Sequence, residues 1–150
     1  MKIKIRKIKK TDVQRVFDLV YELAVYEKAP EQVSNTVEMM LKDGFGKNKT
    51  FGCFVVEVDG VVQGISLYYY RYSTWKGKRL YLEDIVVTEA MRGHGLGKLL
   101  FDKVIEEAKN TECTGMMWQV LDWNEPAINF YRKNFPTRFD EGWLNCHLDF

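Results

Sequence analysis

The sequence predicts an α/β (α+β) fold with a mixed sheet flanked by helices, and two observations lead to it. Segments of alternating or continuous apolar residues, typical of strands, are interspersed with segments whose apolar residues recur at helical spacing. The chain has 150 residues, close to the usual length of one domain, and it contains no internal repeat, low-complexity tract or linker. We therefore expect a single domain over residues 1–150.

The N-terminal third is expected to form a strand and two helices. Residues 2–8 alternate basic and apolar side chains, which predicts a half-buried strand whose basic residues face solvent. Thr11 is followed three positions later by Gln14, an arrangement that favours a capping box, and a helix is expected over 12–26. A shorter helix is expected over 36–42, closed by Gly44 and Gly46.

The rest of the chain continues the alternation of strands and helices. Residues 53–58 and 61–72 are predicted strands joined by Asp59-Gly60, a dipeptide that tolerates the positive φ of a tight turn. Another strand is expected over 81–87, followed by a helix that ends near Asn110. The remaining predictions are a buried strand over 116–121, a short helix over 127–131 and a closing strand over 143–148.

Composition excludes several classes of partner. The 22 basic and 21 acidic residues give a formal net charge of +1, so no overall field favours nucleic acid or an anionic membrane. No apolar stretch approaches the roughly 20 residues that cross a bilayer, and the start of the chain does not resemble a signal peptide. Three cysteines lie far apart, without metal-ligand spacing, and read as small buried hydrophobes: Cys53, Cys113 and Cys146. We expect a cytoplasmic protein without a metal.

A glycine-rich turn precedes the predicted third long helix. Its sequence is Arg92-Gly93-His94-Gly95-Leu96-Gly97. Glycines let backbone N–H groups approach a ligand closely, and the positive end of a helix attracts phosphate. A P-loop is excluded because Leu99 stands where Ser or Thr is required, and a dinucleotide fingerprint is excluded by its GxGxG spacing late in the chain. A purely structural turn is the alternative.

A second motif follows downstream, and the two together resemble the GNAT superfamily of acetyltransferases. The family's acetyl-CoA loop is matched by Arg92, Gly95 and Gly97, and its later Asn-x-x-Ala-x-x-Phe-Tyr segment by Asn124, Ala127, Phe130 and Tyr131. The resemblance implies a mixed, mostly antiparallel central sheet flanked by helices, acetyl-CoA as co-substrate and a homodimer.

Nearly the whole chain is similar to one branch of that superfamily, the diamine (spermidine/spermine) and thialysine N-acetyltransferases. Residues 72–77 and 120–124 are nearer the thialysine members, whereas 124–131 is nearer the polyamine members. Polyamine members carry an acidic residue in the turn where this chain has Ser73-Thr74. The family's Gly-small pair after the catalytic helix is replaced by Phe135-Pro136. The resemblance therefore leaves both substrate classes open.

The expected reaction needs a base and an acid. An alkyl ammonium with a pKa of about 10 cannot attack a thioester until it loses its proton. The resemblance assigns the base to Glu83, inside an otherwise apolar strand, and the proton donor for the departing thiolate to Tyr131. The alternatives are an ion-paired carboxylate at a strand end and a core aromatic ring.

The resemblance also implies the binding residues. Backbone groups on the strand before the glycine loop would pair with the pantetheine arm, the loop would hold the pyrophosphate, and Asn124 would bind the CoA arm or cap a helix. The predicted co-substrate residues are Ile85, Val86, Val87, Arg92, Gly93, His94, Gly95, Leu96, Gly97, Lys98, Asn124, Glu125, Pro126, Ala127 and Tyr131. The predicted amine residues are carboxylates and aromatic rings, which suit a cationic chain: Tyr26, Glu27, Glu31, Trp75, Glu83, Asp84 and Trp118.

Two other functions compete with this interpretation. A GNAT enzyme that acetylates a protein N-terminus or a lysine side chain would need an open groove, whereas the acidic and aromatic residues favour a closed pocket. A non-catalytic acetyl-CoA-binding module would be expected to lack the pair Glu83 and Tyr131, and both are present. His94 and His147 have no Ser or Cys nearby that would indicate a catalytic triad.

Overall fold

The computed structural model describes residues 1–150, and its centre is a five-stranded sheet in the order β1-β2-β3-β4-β5. The first three pairings are antiparallel and the pairing of β4 with β5 is parallel. This mixed, mostly antiparallel sheet flanked by helices confirms the predicted fold class. The strands are β1 (Ile3–Lys7), β2 (Gly52–Val58), β3 (Val61–Ser73), β4 (Gly77–Val87) and β5 (Met116–Trp118).

The chain also contains four helices, and it divides into two compact units. Residues 1–119 contain the sheet and the first three helices, and residues 120–150 contain the fourth. Short 3-10 turns cover residues 10–12, 30–32 and 89–91. The helices are α1 (Val13–Tyr26), α2 (Val37–Phe45), α3 (Leu96–Asn110) and α4 (Glu125–Asn134).

The first unit buries both faces of its sheet because side chains alternate along each strand. One face packs against α1 and α2 through a cluster that includes Val16, Leu19, Val55, Ile65 and Val86. The other face lies under α3, where Leu96, Leu100, Phe101 and Val104 are buried. A Cβ added to Gly64 of β3 would lie 3.1 Å from Leu100, so α3 approaches the sheet closely. The sheet therefore holds the ends of α1 and α3 in fixed positions.

The turn between β2 and β3 confirms the predicted hairpin. Asp59 has a φ of 50° and Gly60 a φ of 84°, the left-handed conformation that a two-residue turn of this kind requires. The hairpin from β3 to β4 is longer than predicted, because Tyr70, Arg71 and Tyr72 continue to pair with Leu80, Arg79 and Lys78. Its turn thus lies far from the glycine loop along the strand direction.

A bulge in β4 interrupts the pairing with β3. Leu67 pairs with Asp84 and Tyr68 pairs with Leu82, so Glu83 has no partner in the register. A bulge bends the strand and redirects the side chain of the extra residue, and bulges are frequent beside active sites. The parallel pairing with β5 also stops at Leu82. Beyond Leu82, β4 is hydrogen-bonded in register only to β3.

The start of α1 is fixed to the edge of the sheet by a charged cluster. The guanidinium of Arg6 donates to both carboxylate oxygens of Asp12, at 2.7 and 3.0 Å, and to the carboxylate of Glu57. Asp12 also accepts from the backbone N–H of Lys9 at 2.7 Å. The hydrogen bond from Arg6 holds the pKa of Asp12 below its ordinary value.

Several predictions about elements and residues were wrong, among them that Gly44 closes the second helix, since it lies inside α2, and that Cys113 is buried, since it is half-buried. Thr11 does not cap α1, because it lies inside the 3-10 turn and Asp12 directly precedes the helix. The strand expected over 116–121 ends at Trp118, where its pairing with β4 ends. No strand forms over 143–148, and Cys146 is exposed rather than buried. A strand needs a partner with which to pair, and residues 143–148 pair with none.

Candidate active site

The glycine loop presents open backbone at the N-terminus of α3. Gly93 and Gly95 have φ values of 83° and 76°, which favour glycine, and an added Cβ at either position would meet nothing within 4 Å. The first helical hydrogen bond joins the N–H of Leu99 to the carbonyl of Gly95. The N–H groups of Leu96 and Gly97 therefore precede the intrahelical hydrogen bonds. Donors at the positive end of a 15-residue helix suit a phosphate group.

The charged side chains around the loop contact groups outside its glycines. The Nε of Arg92 donates to the carbonyl of Val87 at 3.2 Å, and its guanidinium carbon lies 5.3 Å from the centre of the Tyr26 ring. The Nδ1 of His94 is 3.2 Å from the carbonyl of Met91. Lys98 pairs with Asp102 at 2.7 Å. These three side chains leave the glycine backbone accessible.

Three carboxylates gather where α1 ends beside the β4 bulge. Burial, followed by repulsion from Glu83 and Glu27, raises the pKa of Asp84 from 3.8 to about 7. Burial also raises the pKa of Glu27. Like charges that are partly removed from water destabilise each other, and a cation placed among them would relieve that repulsion. The bulge and the end of α1 thus create a local negative site in a chain of nearly neutral charge.

Two tyrosines of the neighbouring strands border the exposed carboxylate Glu83. The hydroxyl of Tyr69 donates to Glu83 at 3.5 Å, and the rings of Tyr69 and Tyr81 lie 5.2 Å apart. Burial and the charge of Glu83 raise the pKa values of both phenols. These hydroxyls therefore stay protonated, as hydrogen-bond donors, at neutral pH.

The strand segment before the loop has one free edge in the first unit. Ile85, Val86 and Val87 pair with Ser66, Ile65 and Gly64 on the β3 side. On the other side the parallel pairing with β5 covers only Leu80–Leu82. An extended ligand could therefore hydrogen-bond to this edge in the manner of an added strand.

The second unit carries the second motif of the predicted site. Asn124 is the N-cap of α4, and its Oδ1 accepts from the N–H of Ala127 at 3.3 Å. Glu125 and Pro126 occupy the first turn, where an acidic residue and a proline are favourable. Tyr131 lies on the same helix and is only 5% exposed. The predicted cap is confirmed, whereas the roles of Asn124 and Tyr131 towards a ligand stay predictions.

The structure brings together some of the predicted amine residues and separates others. Glu27, Glu83 and Asp84 share one electrostatic site, and Tyr26 immediately precedes Glu27. Trp75 is 85% exposed in the turn of the β3–β4 hairpin. Trp118 packs its ring edge-on against Phe101 of α3, at 5.0 Å between ring centres. Glu31 is exposed in a short 3-10 turn.

Sequence reasoning missed three residues that take part in this geometry. Tyr69 and Tyr81 border Glu83, and Glu22 of α1 accepts hydrogen bonds from the hydroxyl of Thr88 at 3.0 and 3.2 Å. The period-two pattern of β3 and β4 could have placed the tyrosines on the face of α1. That pattern could not have located the bulge that brings the two tyrosines to Glu83, because a bulge shifts the pairing register and has no sequence pattern of its own.

No group of three or more histidine, cysteine, aspartate or glutamate side chains is arranged to hold a metal ion. No helix has both the length and the apolar character to cross a bilayer.

Comparison with known sequences identifies one family over most of the chain. The acetyltransferase (GNAT) family matches residues 14–135. A thialysine N-epsilon-acetyltransferase of Mus musculus is 39% identical over 158 aligned residues, which cover 97% of this chain and 92% of that protein. Spermidine/spermine N(1)-acetyltransferase-like protein 1 of Homo sapiens is 34% identical over 148 aligned residues, which cover 93% of this chain and 21% of that protein.

Comparison with solved structures identifies the same fold. An aminoglycoside acetyltransferase from an uncultured soil metagenomic sample superposes with a TM-score of 0.78 at 17% identity, covering 99% of this chain and 96% of that one. An aminoglycoside N-acetyltransferase solved in complex with CoA superposes with a TM-score of 0.76 at 19% identity, covering 98% of this chain and 96% of that one. At sequence identities this low, the similarity shows only that these proteins share a fold.

Proposed function

Because the chain belongs to the acetyltransferase (GNAT) family and is an acetyl-CoA-dependent N-acetyltransferase, we propose that it acetylates the primary amine of a small, positively charged molecule. The predicted resemblance to the diamine (spermidine/spermine) and thialysine branch is confirmed by relatives that are named for thialysine and for spermidine/spermine. Acetyl-CoA fits the chain as co-substrate, because the open glycine backbone at the start of α3 offers N–H donors to its phosphates.

The observation that carries the proposal is the carboxylate site formed by Glu27, Glu83 and Asp84. Burial, together with repulsion from Glu83 and Glu27, raises the pKa of Asp84 to about 7. An ammonium group placed there would be attracted to each of them and would restore the ionised form of Asp84. A neutral or acidic acceptor would gain nothing from this arrangement. The site therefore favours an amine that carries positive charge beyond the reacting nitrogen.

A thialysine-like amino acid and a polyamine both meet this requirement. The relative from Mus musculus is named for thialysine and the one from Homo sapiens for spermidine and spermine. The β3–β4 turn has Ser73-Thr74 where polyamine members carry an acidic residue. Fewer carboxylates near Trp75 weaken the case for a long polycation, so the shorter amine is the better candidate.

Glu83 is the proposed general base. It is exposed at the bulge, where the redirected side chain can reach an ammonium ion directly or through one water molecule. The hydroxyl of Tyr69 holds one of its carboxylate oxygens. Removal of the ammonium proton frees the nitrogen lone pair, which then attacks the acetyl group directly.

Acetyl-CoA supplies an acetyl group activated as a thioester. Tyr131 is the proposed general acid, because a phenol with an ordinary pKa of about 10 keeps its proton at pH 7 and can give it to a thiolate. The free edge of β4 at Ile85, Val86 and Val87 supports the proposal that this strand binds the pantetheine arm. The remaining co-substrate contacts are assigned to residues 92–98 and 124–127.

A coupled assay of thiol release tests the proposed function. The protein is incubated with acetyl-CoA and, separately, thialysine, lysine, ornithine, putrescine, spermidine and spermine, and mass spectrometry identifies the acetylated product. Peptides with a free N-terminal amine or a lysine side chain serve as controls. We expect turnover with at least one of the small amines and rates near background with the peptides. Turnover confined to peptides would favour the protein-acetylating alternative. Acetyl-CoA binding without any turnover would favour the binding module.

We also propose that residues 1–150 act as one acetyltransferase domain that pairs into a homodimer. The family match over residues 14–135 extends across both structural units, which supports a single domain. The resemblance to the branch and the frequency of two-fold pairs among soluble oligomers support the dimer. Sedimentation equilibrium should give a mass near twice 17.7 kDa, whereas a monomer at every concentration would refute the pairing.

A further inference from the structure

The side chain of Arg92 joins the glycine loop to the end of α1. Its Nε donates to the carbonyl of Val87, at the end of β4, with a distance of 3.2 Å. Its guanidinium carbon lies 5.3 Å from the centre of the Tyr26 ring, within the range of a cation–π contact. Tyr26 is the last residue of α1 and Glu27 follows it. One side chain therefore contacts both the segment proposed for phosphate and the segment proposed for the amine.

A second contact holds the same two segments together. The carboxylate of Glu22, one turn before Tyr26, accepts from the hydroxyl of Thr88 at 3.0 and 3.2 Å and from the N–H of Glu89 at 3.0 Å. Thr88 and Glu89 connect β4 to the glycine loop. Between the two contacts lies a cavity of about 220 Å³, lined by Glu22, Val25, Tyr26, Glu89 and Arg92. The last turn of α1 thus rests on the segment that leads into the loop.

The free donors of Arg92 make this contact responsive to a ligand. The side chain is exposed, and its only hydrogen bond within the protein comes from Nε. The two Nη groups can therefore donate to phosphate oxygens while the guanidinium stays over the ring of Tyr26. A bound phosphate would restrict the guanidinium, and the restricted guanidinium would restrict Tyr26.

We propose that Arg92 is a positioning residue that couples the two halves of the reaction, so that CoA in the glycine loop strengthens binding of the amine at the end of α1. The inference rests on the proposed function, since it needs both ligands. Coupling between two sites is reciprocal, so the amine must strengthen binding of CoA by the same factor. A cation–π contact at an exposed site corresponds to a factor of about 2 to 5.

Binding measurements with CoA, which cannot react, test the coupling at equilibrium. Calorimetry gives the dissociation constant of CoA alone and with saturating spermidine or thialysine. In the wild-type protein we expect at least one of these amines to tighten CoA binding by about 2- to 5-fold. Tyr26→Leu removes the ring and should abolish the tightening, whereas Tyr26→Phe keeps the ring and should retain it.

A second pair of variants distinguishes the planar shape of the Arg92 guanidinium from its positive charge. Arg92→Lys keeps a positive charge for phosphate but lacks the planar group, so the tightening should be lost. The double variant Arg92→Lys/Tyr26→Leu should show no further loss of this tightening beyond that of either single variant, because both changes break the same contact. Val25→Ala alters the same cavity without touching the contact and should behave as the wild type. Circular dichroism of each variant checks the fold.

The results distinguish this inference from the proposed function. If the tightening persists in both Tyr26→Leu and Arg92→Lys, or if the wild type binds CoA with no tightening by either amine, the coupling role of Arg92 is wrong while the acetyltransferase function stands. A wild-type protein that fails to bind CoA would overturn the proposed use of the loop, and this inference with it.

Discussion

At the scale of single residues, the proposed amine site consists of carboxylates that repel each other. Asp84 is the most affected, because burial and the charges of Glu83 and Glu27 together raise its pKa to about 7. The sequence alone shows two carboxylates, Glu83 and Asp84, inside an otherwise apolar strand. It does not show that their environments differ, because these depend on where α1 ends and on the bulge in β4.

The raised pKa of Asp84 predicts a pH-dependent cost to stability. Between pH 3.8 and about 7 the folded protein keeps a proton on Asp84 that the unfolded chain has lost. Stability contributed by the protonated form is therefore complete below the unfolded pKa and is lost as the pH rises through the folded pKa. Asp84→Asn should raise the free energy of unfolding at pH 8 by a few kcal/mol, at about 1.4 kcal/mol per pKa unit, and change little at pH 3.5.

Urea unfolding at the two pH values measures this difference. Asp18→Asn, which changes an exposed aspartate on α1, is the matched control and should have little effect at either pH. An Asp84→Asn variant that is no more stable than the wild type at pH 8 would show that Asp84 is not strained by its neighbours.

Glu83→Gln tests the proposed base. The variant keeps the shape of the side chain but cannot accept the ammonium proton, so turnover at pH 7 should fall by roughly 10²–10⁴. Its rate should then rise steadily with pH, because only amine that has lost its proton in solution can attack. Initial rates from pH 6 to 10 provide the test, with Glu38→Gln on α2 as an exposed control. Turnover close to that of the wild type at pH 7 would remove Glu83 from the reaction.

Tyr131→Phe tests the proposed acid. The ring stays in place and only the hydroxyl is removed, so binding of acetyl-CoA should be nearly unchanged while kcat falls by roughly 10²–10⁴. Tyr21→Phe, on the exposed side of α1, is the control. The combined loss with Glu83→Gln should be smaller than the product of the two, because both residues serve one transition state. Native turnover by Tyr131→Phe would leave Tyr131 as a core aromatic.

At the scale of elements, the local signals decided which predictions succeeded. The helix α3 was predicted correctly from its apolar spacing, and the β2–β3 turn from Asp59-Gly60, because both features arise from neighbouring residues. The strand expected over 143–148 failed because pairing depends on a distant partner, and the exposed side chains Trp143 and Leu144 show none. The length of β4 was underestimated for the same reason, since its first residues pair with the end of β3.

Gly95→Asp tests the loop at the start of α3 as a phosphate site. An aspartate there would place a negative charge beside the exposed N–H groups, and we expect acetyl-CoA binding to weaken at least tenfold in calorimetry. Gly60→Asp is the matched control: Gly60 has a φ of 84° and, like Gly95, open space around an added Cβ. It lies in the β2–β3 turn and should leave binding unchanged. Equal affinity of the two variants would place the phosphates elsewhere.

At the scale of the whole molecule, the fold was easier to predict than the site. The order of strands and helices indicated the fold class, and two motifs in their expected order indicated the family, which the match over residues 14–135 confirms. Of the residues predicted to bind the amine, the structure places only some together. Glu27, Glu83 and Asp84 share one site, whereas Trp75 lies in the turn of the long hairpin and Trp118 packs on Phe101. Residue type alone does not indicate which aromatic rings the pairing register of the strands brings close to the carboxylates.

The most direct test compares 1,5-diaminopentane with pentylamine as acceptors. The two have the same chain length and the same reacting amine, and they differ in the second ammonium group, which the carboxylates of Glu27 and Asp84 are proposed to attract while Glu83 serves the reacting nitrogen. Charge-assisted hydrogen bonds contribute about 1.5–3 kcal/mol, so kcat/KM for the diamine should exceed that for pentylamine by roughly 10- to 100-fold. Equal values for the two amines would contradict recognition of a cationic substrate at this site.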